Sequence, residues 1–98
     1  MVKPGSRDIK ASVLIQGMEL SELQRFVWMM AESFGLDRRI ANYHGIRPIG
    51  LYRWDIELIT DVINSVLDDP TYYPDKNSEQ YLAIVVLYQR LMALEALF

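Results

Sequence analysis

Residues 81–88 read YLAIVVLY, eight consecutive side chains without a charged or amide group. They open the C-terminal stretch 81–98, in which the strongly polar residues are Gln89, Arg90 and Glu95. A helix of this composition is apolar nearly all the way round, so it must be covered on more than one side. A chain of 98 residues has few other elements with which to cover it.

A helical wheel divides this predicted helix into two apolar faces. One face consists of Ile84, Leu87, Tyr88 and Leu91. The nearly opposite face consists of Leu82, Val86, Ala93 and Leu97. The first face can pack into the core of the domain. We expect the second to meet either the small strand region or another subunit, and we take it as a candidate interface.

Three segments before this helix have clear helical or strand patterns. Residues 9–16 alternate between apolar and polar side chains, which predicts a strand closed by Gly17, although a short helix is the alternative. Ser21 and Gln24 have the spacing of a capping box and predict a helix that ends at Gly35. Its apolar stripe is Leu20, Leu23, Val27, Met30 and Phe34, which leaves Trp28 and Met29 outside the stripe as further interface candidates.

The middle of the chain predicts a short helix, an extended segment and a long helix. Residues 36–44 form the short helix before Gly45, and residues 46–52 are extended and able to pair with residues 9–16. The long helix covers residues 54–67, with an acidic outer face. A loop at 68–75 follows, with Tyr72 and Tyr73 as its anchors, and Asn77 is the expected cap of the last helix. The buried face of the long helix is predicted to be Ile56, Ile59, Val62, Ile63, Val66 and Leu67.

These elements predict a single domain over residues 1–98 with a mainly helical α+β fold. It has three main helices, a short helical segment and a small N-terminal β element, with an all-α bundle as the alternative. Residues 1–8 are expected to be flexible. The start lacks the apolar stretch of a secretion signal, no segment has the roughly 20 apolar residues that span a bilayer, and the chain has no cysteine. We therefore expect a cytoplasmic protein with no disulfide and no membrane contact.

The sequence contains none of the usual catalytic motifs. One histidine and no cysteine leave no zinc finger or paired-histidine metal site, and the five glycines are too scattered for a phosphate-binding loop. We therefore expect no catalytic residue, no metal and no cofactor. An enzyme would need a site assembled between subunits, with His44 as its best candidate for proton transfer.

The segment from Arg38 to Trp54 is the best candidate for ligand binding. Residues 37–54 carry four arginines against one aspartate, whereas residues 55–79 carry seven carboxylates against one lysine. Guanidinium groups bind phosphates, and aromatic rings can stack on a base. The candidate ligand-binding residues are Arg38, Arg39, His44, Arg47, Tyr52, Arg53 and Trp54.

Two functions from different classes follow from these patterns. The first is a small non-enzymatic interaction or regulatory protein, which forms a homodimer or docks on a larger protein partner through its C-terminal helix. The alternative is a binding module for a phosphate-bearing ligand or single-stranded nucleic acid. The net charge of −3 weighs against nucleic acid as the partner.

Overall fold

The elements of the structure, a computed structural model, lie within residues 10–31 and 35–97, which are the residues that it describes. Two short strands and four α-helices follow one another along this part of the chain, with one 3-10 turn after the first helix. In order they are β1 (Ala11–Val13), α1 (Gly17–Gln24), the 3-10 turn (Val27–Met30), α2 (Leu36–Ala41), β2 (Ile49–Leu51), α3 (Arg53–Leu67) and α4 (Glu79–Glu95). The predicted mainly helical α+β fold is confirmed, and the expected flexibility of residues 1–8 concerns residues outside the described ones.

The small sheet joins the N-terminal region to the middle of the chain. Strands β1 and β2 pair antiparallel, with Ser12 opposite Gly50 at the centre of the register. The predicted alternation holds, because Val13 and Ile15 are buried while Ser12 and Leu14 are exposed. The strand is shorter than residues 9–16. The predicted pairing with residues 46–52 is confirmed, and the all-α alternative is wrong.

Helix α1 starts at Gly17 and not at Ser21, so the predicted capping box is wrong. Gly17 has a φ of +57°, and this left-handed turn leads the chain from the sheet directly into the helix. The Ser21 hydroxyl donates to the Met18 carbonyl from inside the helix. The Gln24 side chain instead donates to the carbonyls of Ile40 (3.0 Å) and Tyr43 (3.1 Å), where it satisfies the end of α2.

The predicted helix from Ser21 to Gly35 is interrupted after Gln24. The chain turns there and continues as the 3-10 turn, which changes the side-chain periodicity from 3.6 to about 3 residues. Phe26, outside the predicted stripe, is fully buried, and its ring meets the edge of Tyr72 at a centroid distance of 5.3 Å. Leu20, Leu23 and Met30 of the stripe are buried as predicted, Val27 is partly buried, and Phe34 lies outside the described residues.

The short helix α2 ends at Ala41, earlier than the predicted end at Gly45. Gly45 does take a left-handed conformation, with a φ of +73°. A Cβ atom at this position would lie 2.9 Å from the carbonyl oxygen of Ile15, so the close approach to the segment after β1 also requires glycine. Residues between Ala41 and Gly45 thus form the turn that carries the chain back to the sheet.

Helices α3 and α4 form the main body of the core. The buried face of α3 is the predicted one, with Leu67 partly buried. Helix α4 packs against both α1 and α3 and buries Ile84, Leu87 and Leu91, also as predicted. Its cap is Ser78 and not Asn77. The Ser78 hydroxyl accepts from the Tyr81 amide at 3.1 Å, whereas the Asn77 amide donates to the Asp75 carboxylate and stays in the preceding loop.

One buried carboxylate joins three elements at the start of α3. Asp55 is fully buried, and its Oδ2 accepts from the Tyr52 amide at 3.0 Å and from the Arg39 guanidinium at 3.1 Å. The same Arg39 nitrogen donates to the Gly50 carbonyl at 2.7 Å. Asp55 therefore caps α3 and, through Arg39, holds α2 against β2.

We expect Asp55→Ala to lower the free energy of unfolding by about 2.5 to 4 kcal/mol. The substitution removes a helix cap and a charge-assisted hydrogen bond, which are worth about 1 and 1.5–3 kcal/mol. Urea unfolding followed by circular dichroism measures the loss. Glu57→Ala is the control, because its ion pair with Arg53 is partly exposed and should contribute under about 0.5 kcal/mol. Equal losses in the two variants would contradict this role of Asp55.

Candidate interaction surface and basic groove

The predicted outer face of α4 is exposed in the isolated chain. Leu82 is 52% exposed, Val86 47% and Leu97 82%, and Ala93, between Val86 and Leu97 in the sequence, is also exposed. These four residues recur at spacings of four, seven and four, so they form one stripe along the helix. Helices α1 and α3 cover the opposite side and leave this one open.

Arg90 and Glu95 lie at the borders of this stripe, whereas exposed Gln89, three residues after Val86 and four before Ala93, lies within it. On the side toward α1, the Arg90 guanidinium forms an ion pair with Glu19 and donates to the Leu14 carbonyl at 2.7 Å. On the side toward α3, Tyr88, Met92 and Glu95 line a polar hollow together with side chains of α3. The stripe itself therefore contains no unpaired charge among the described residues.

The apolar surface continues past the C-terminal end of the stripe. Leu14 is exposed next to β1, and it lines a shallow hollow of about 370 Å³ with Ala93, Leu94 and Leu97. We name Leu14, Leu82, Val86, Ala93 and Leu97 together the α4 surface.

The other two interface candidates do not join the α4 surface. Trp28 is 62% exposed, but it lies on the 3-10 turn, whose main contacts are with α2 and α3. Met29 is partly buried and packs against the core. The change of periodicity at the 3-10 turn separates the two residues from the positions that a continuous helix would give them.

The candidate ligand-binding residues are only partly brought together. Arg39, Arg47 and Tyr52 line one groove of about 590 Å³ between α2 and the sheet. Arg53 pairs with Glu57 on the surface of α3, at 2.9 Å. Arg38 and His44 are exposed and do not line the groove. The complete lining is Lys10, Arg39, Asn42, Tyr43, Arg47, Pro48, Ile49, Gly50 and Tyr52, so Lys10 joins from outside the predicted segment.

The Tyr52 ring is engaged by other side chains of the protein. Trp54 stacks on it at a centroid distance of 4.6 Å and an interplanar angle of 11°. The Lys10 ammonium lies 5.4 Å from the centre of the same ring. Tyr52 is thus held between internal partners and does not serve as an open platform for a nucleic-acid base. Trp54 itself stays partly exposed.

A buried polar cluster that the sequence did not indicate lies between α1 and the loop before α4. The Tyr73 hydroxyl donates to the Glu22 carboxylate at 2.8 Å, and the Arg25 guanidinium donates to the same oxygen at 2.6 Å. Burial, followed by the hydrogen bond to Glu22, raises the pKa of Tyr73 well above its ordinary value. The cluster explains why Tyr73 anchors the loop, as predicted. No pattern in the sequence indicates that its partner is Glu22, which lies 51 residues away.

The described residues hold neither a cluster of potential metal ligands nor a helix able to span a membrane. They contain no group of three or more histidine or carboxylate side chains placed to hold a metal ion. None of the helices in residues 10–31 and 35–97 combines the length and the apolar character needed to cross a bilayer.

Comparison with known proteins gives no relative for this chain: no protein-family model, curated protein or solved structure matches it significantly.

The Tyr73–Glu22 hydrogen bond should make the free energy of unfolding depend on pH in alkaline solution. Because the pKa of Tyr73 is higher in the folded than in the unfolded state, the hydroxyl proton is lost from the unfolded chain at lower pH. The stabilisation of the fold by this hydroxyl is therefore complete below pH 10 and declines as the pH rises above 10. We expect Tyr73→Phe to cost about 1 to 2 kcal/mol at pH 7. That difference from the wild type should shrink by about 1 kcal/mol between pH 9.5 and pH 11.

Urea unfolding of both proteins at the two pH values measures this difference. Tyr88→Phe is the matched control, because the Tyr88 hydroxyl has no hydrogen-bond partner within the described residues. Its difference from the wild type should stay small and constant. A Tyr73→Phe difference that does not change with pH would contradict the proposed link between Tyr73 and Glu22.

Proposed function

We propose that this protein is a non-enzymatic interaction protein that acts as a homodimer, in which the α4 surface of one copy packs against the α4 surface of another. The observation that carries the proposal is the exposed stripe of Leu82, Val86, Ala93 and Leu97 along the outer side of α4. Contiguous exposed apolar surface is typical of protein interfaces, because its transfer out of water is favourable by about 25 cal/mol per Å².

The charges on α4 favour a second copy over a charged partner. Arg90 borders the stripe, but Glu19 of the same chain already neutralises it. The stripe therefore offers neither an acidic nor a basic recognition element to a foreign protein. A neutral apolar strip is complementary to itself, as an interface with twofold symmetry requires.

The sequence of the stripe also fits antiparallel pairing of two α4 helices. If the twofold axis passes between Gln89 and Arg90, Leu82 lies opposite Leu97 of the second copy, and Val86 lies opposite Ala93. The small Ala93 side chain then makes room for Val86, and the Gln89 amide faces Arg90. Antiparallel helices also place their dipoles in a favourable arrangement.

The neighbouring apolar residues supply further contact area. A stable interface buries about 800 Å² on each partner, and α4 with its 17 residues is about 25 Å long. The stripe alone is narrow for such an area. Leu14 continues the apolar surface at one end and exposed Met92 lies on its border, so both belong to the proposed interface.

The proposal includes a cytoplasmic location and no catalytic role. The lack of cysteine fits a reducing compartment. The single histidine, His44, is exposed on the turn after α2 and does not line the groove between α2 and the sheet. Docking on a larger protein through the same surface is the competing outcome, and the mass of the purified protein distinguishes the two.

We expect sedimentation equilibrium to give twice the chain mass of 11.4 kDa for the wild type, and once that mass for Val86→Glu. The substitution places a charge at the centre of an apolar interface, where its desolvation is unfavourable. Ile46→Glu is the control, because Ile46 is 79% exposed but belongs to the segment before β2. Monomeric wild type at millimolar concentration would refute the homodimer, and dissociation of both variants would refute the choice of surface.

Introduced cysteines test the orientation, since the natural chain has none. In the antiparallel pair, Val86 lies opposite Ala93, so a mixture of Val86→Cys and Ala93→Cys chains should form mixed disulfide dimers under mild oxidation. Val86→Cys alone should cross-link poorly, because the two copies of that position lie about 10 Å apart along the helix axis, beyond disulfide reach. Efficient cross-linking of the single variant would instead indicate a parallel pair.

A further inference from the structure

The groove between α2 and the sheet concentrates positive charge on a protein of net charge −3. All charged side chains in its lining are cationic, namely Lys10, Arg39 and Arg47. Within the described residues, neither Lys10 nor Arg47 has a carboxylate partner. Among the described residues, two cations thus have no carboxylate partner on one concave surface, and the carboxylates of α3 lie outside its lining.

Gly50 and Tyr52 position Lys10 in this groove. The Lys10 side chain crosses β2 directly over Gly50, where an added Cβ would lie 2.2 Å from the Lys10 Cδ atom. The ammonium group then reaches the face of Tyr52, 5.4 Å from the ring centre. Such a cation–π contact is worth about 0.5–1 kcal/mol at an exposed site and leaves the ammonium able to donate hydrogen bonds. This contact therefore favours a Lys10 conformation in which the ammonium lies at the groove, although the residue is exposed.

Tyr43 positions Arg47 from the other side of the groove. Its hydroxyl donates to the Arg47 carbonyl and accepts from the Ile15 amide at 3.4 Å, which ties the loop before β2 to the segment after β1. The Gln16 side chain donates to the Gly45 carbonyl at 2.7 Å and holds the same loop at a second point. The backbone that carries Arg47 is thus fixed, although its guanidinium remains exposed.

Arg39 lines the same groove as these two cations. One of its terminal nitrogens is used by Asp55 and the Gly50 carbonyl, so its charge is largely compensated. Its side chain is nevertheless 36% exposed, and it lines the groove next to the Asn42 amide. The groove therefore offers an ammonium, an amide and the Arg47 guanidinium, which has no carboxylate partner among the described residues, together with the compensated guanidinium of Arg39.

We propose that this groove binds the pyrophosphate group of a small phosphate-bearing ligand. Ammonium and guanidinium groups form charge-assisted hydrogen bonds with phosphate oxygens, and two uncompensated cations suit more than one phosphate. The volume of about 590 Å³ is in the range of small-molecule sites. Because Trp54 and Lys10 engage Tyr52, recognition depends on the phosphates and not on stacking of a base at that ring. This site is separate from the α4 surface and does not depend on the proposed dimer.

Titration of the isotope-labelled full-length protein by NMR tests the proposal, with pyrophosphate, ATP, inorganic phosphate, sulfate and a short single-stranded oligonucleotide as probes. We expect pyrophosphate and ATP to shift the amide signals of Lys10, Asn42, Arg47 and Gly50. Inorganic phosphate should bind more weakly, and sulfate more weakly than pyrophosphate. Equal binding of pyrophosphate and ATP would identify the phosphate group as the recognised part, whereas tighter binding of ATP would add a contact with the nucleoside.

The variants separate a built site from general charge attraction. Combining Lys10→Ala with Arg47→Ala should weaken pyrophosphate binding at least about tenfold, since it removes two charge-assisted contacts. Arg38→Ala is the matched control, because Arg38 is an exposed arginine beside Arg39 that does not line the groove. It should change the affinity less than about twofold.

Gly50→Ala tests the positioning of Lys10 without removing any charge. Gly50 does not have a positive φ, so alanine is compatible with the backbone, but its Cβ must displace the Lys10 stem. We expect several-fold weaker binding with unchanged thermal unfolding. The proposal is overturned if pyrophosphate causes no shifts at millimolar concentration, if sulfate binds equally well, if Arg38→Ala weakens binding as much as the double variant, or if only the oligonucleotide binds.

Discussion

The packing of α4 is the constraint on which the rest of the structure depends. This helix is apolar nearly all the way round, and two neighbours, α1 and α3, cover its inner side. The residues buried between them, Ile84, Leu87 and Leu91, form the centre of the core. Two helices cannot surround a third, so the outer stripe from Leu82 to Leu97 stays in solvent. The apolar composition that stabilises the domain thus also leaves an apolar stripe exposed along α4.

The parts of the fold that follow simple periodicity could be predicted from the sequence. Alternation across residues 9–16 identified a strand, and three- and four-residue spacings identified the buried faces of α3 and α4. The first residue of a helix was harder to predict, because two neighbouring residues can both be suitable N-caps. Ser78 and Asn77 are both good caps, and only the Asx turn at Asp75 places Asn77 outside the helix.

Contacts between distant residues explain most of what the sequence did not indicate. Glu22 and Tyr73 are 51 residues apart, and Arg39 and Asp55 are 16 apart, so neither pair leaves a periodic pattern. The sequence shows that the segment from Arg38 to Trp54 is basic, but in the structure Arg53 pairs with Glu57 on the same helix. Lys10 reached the groove from the first strand region. The basic character of the groove could therefore be predicted from the sequence. Which residues line it depends on the folded chain.

The shortness of the two strands has a consequence for how copies of this protein can associate. Each strand spans three residues, and Arg90 occupies the Leu14 carbonyl just beyond β1. The sheet thus has few unpaired backbone N–H and C=O groups to which a strand of a neighbouring chain could bind. Growth into fibrils through strand addition is disfavoured by this geometry. In contrast, a helix–helix contact with twofold symmetry stops at a dimer, because each copy covers the contact surface of the other.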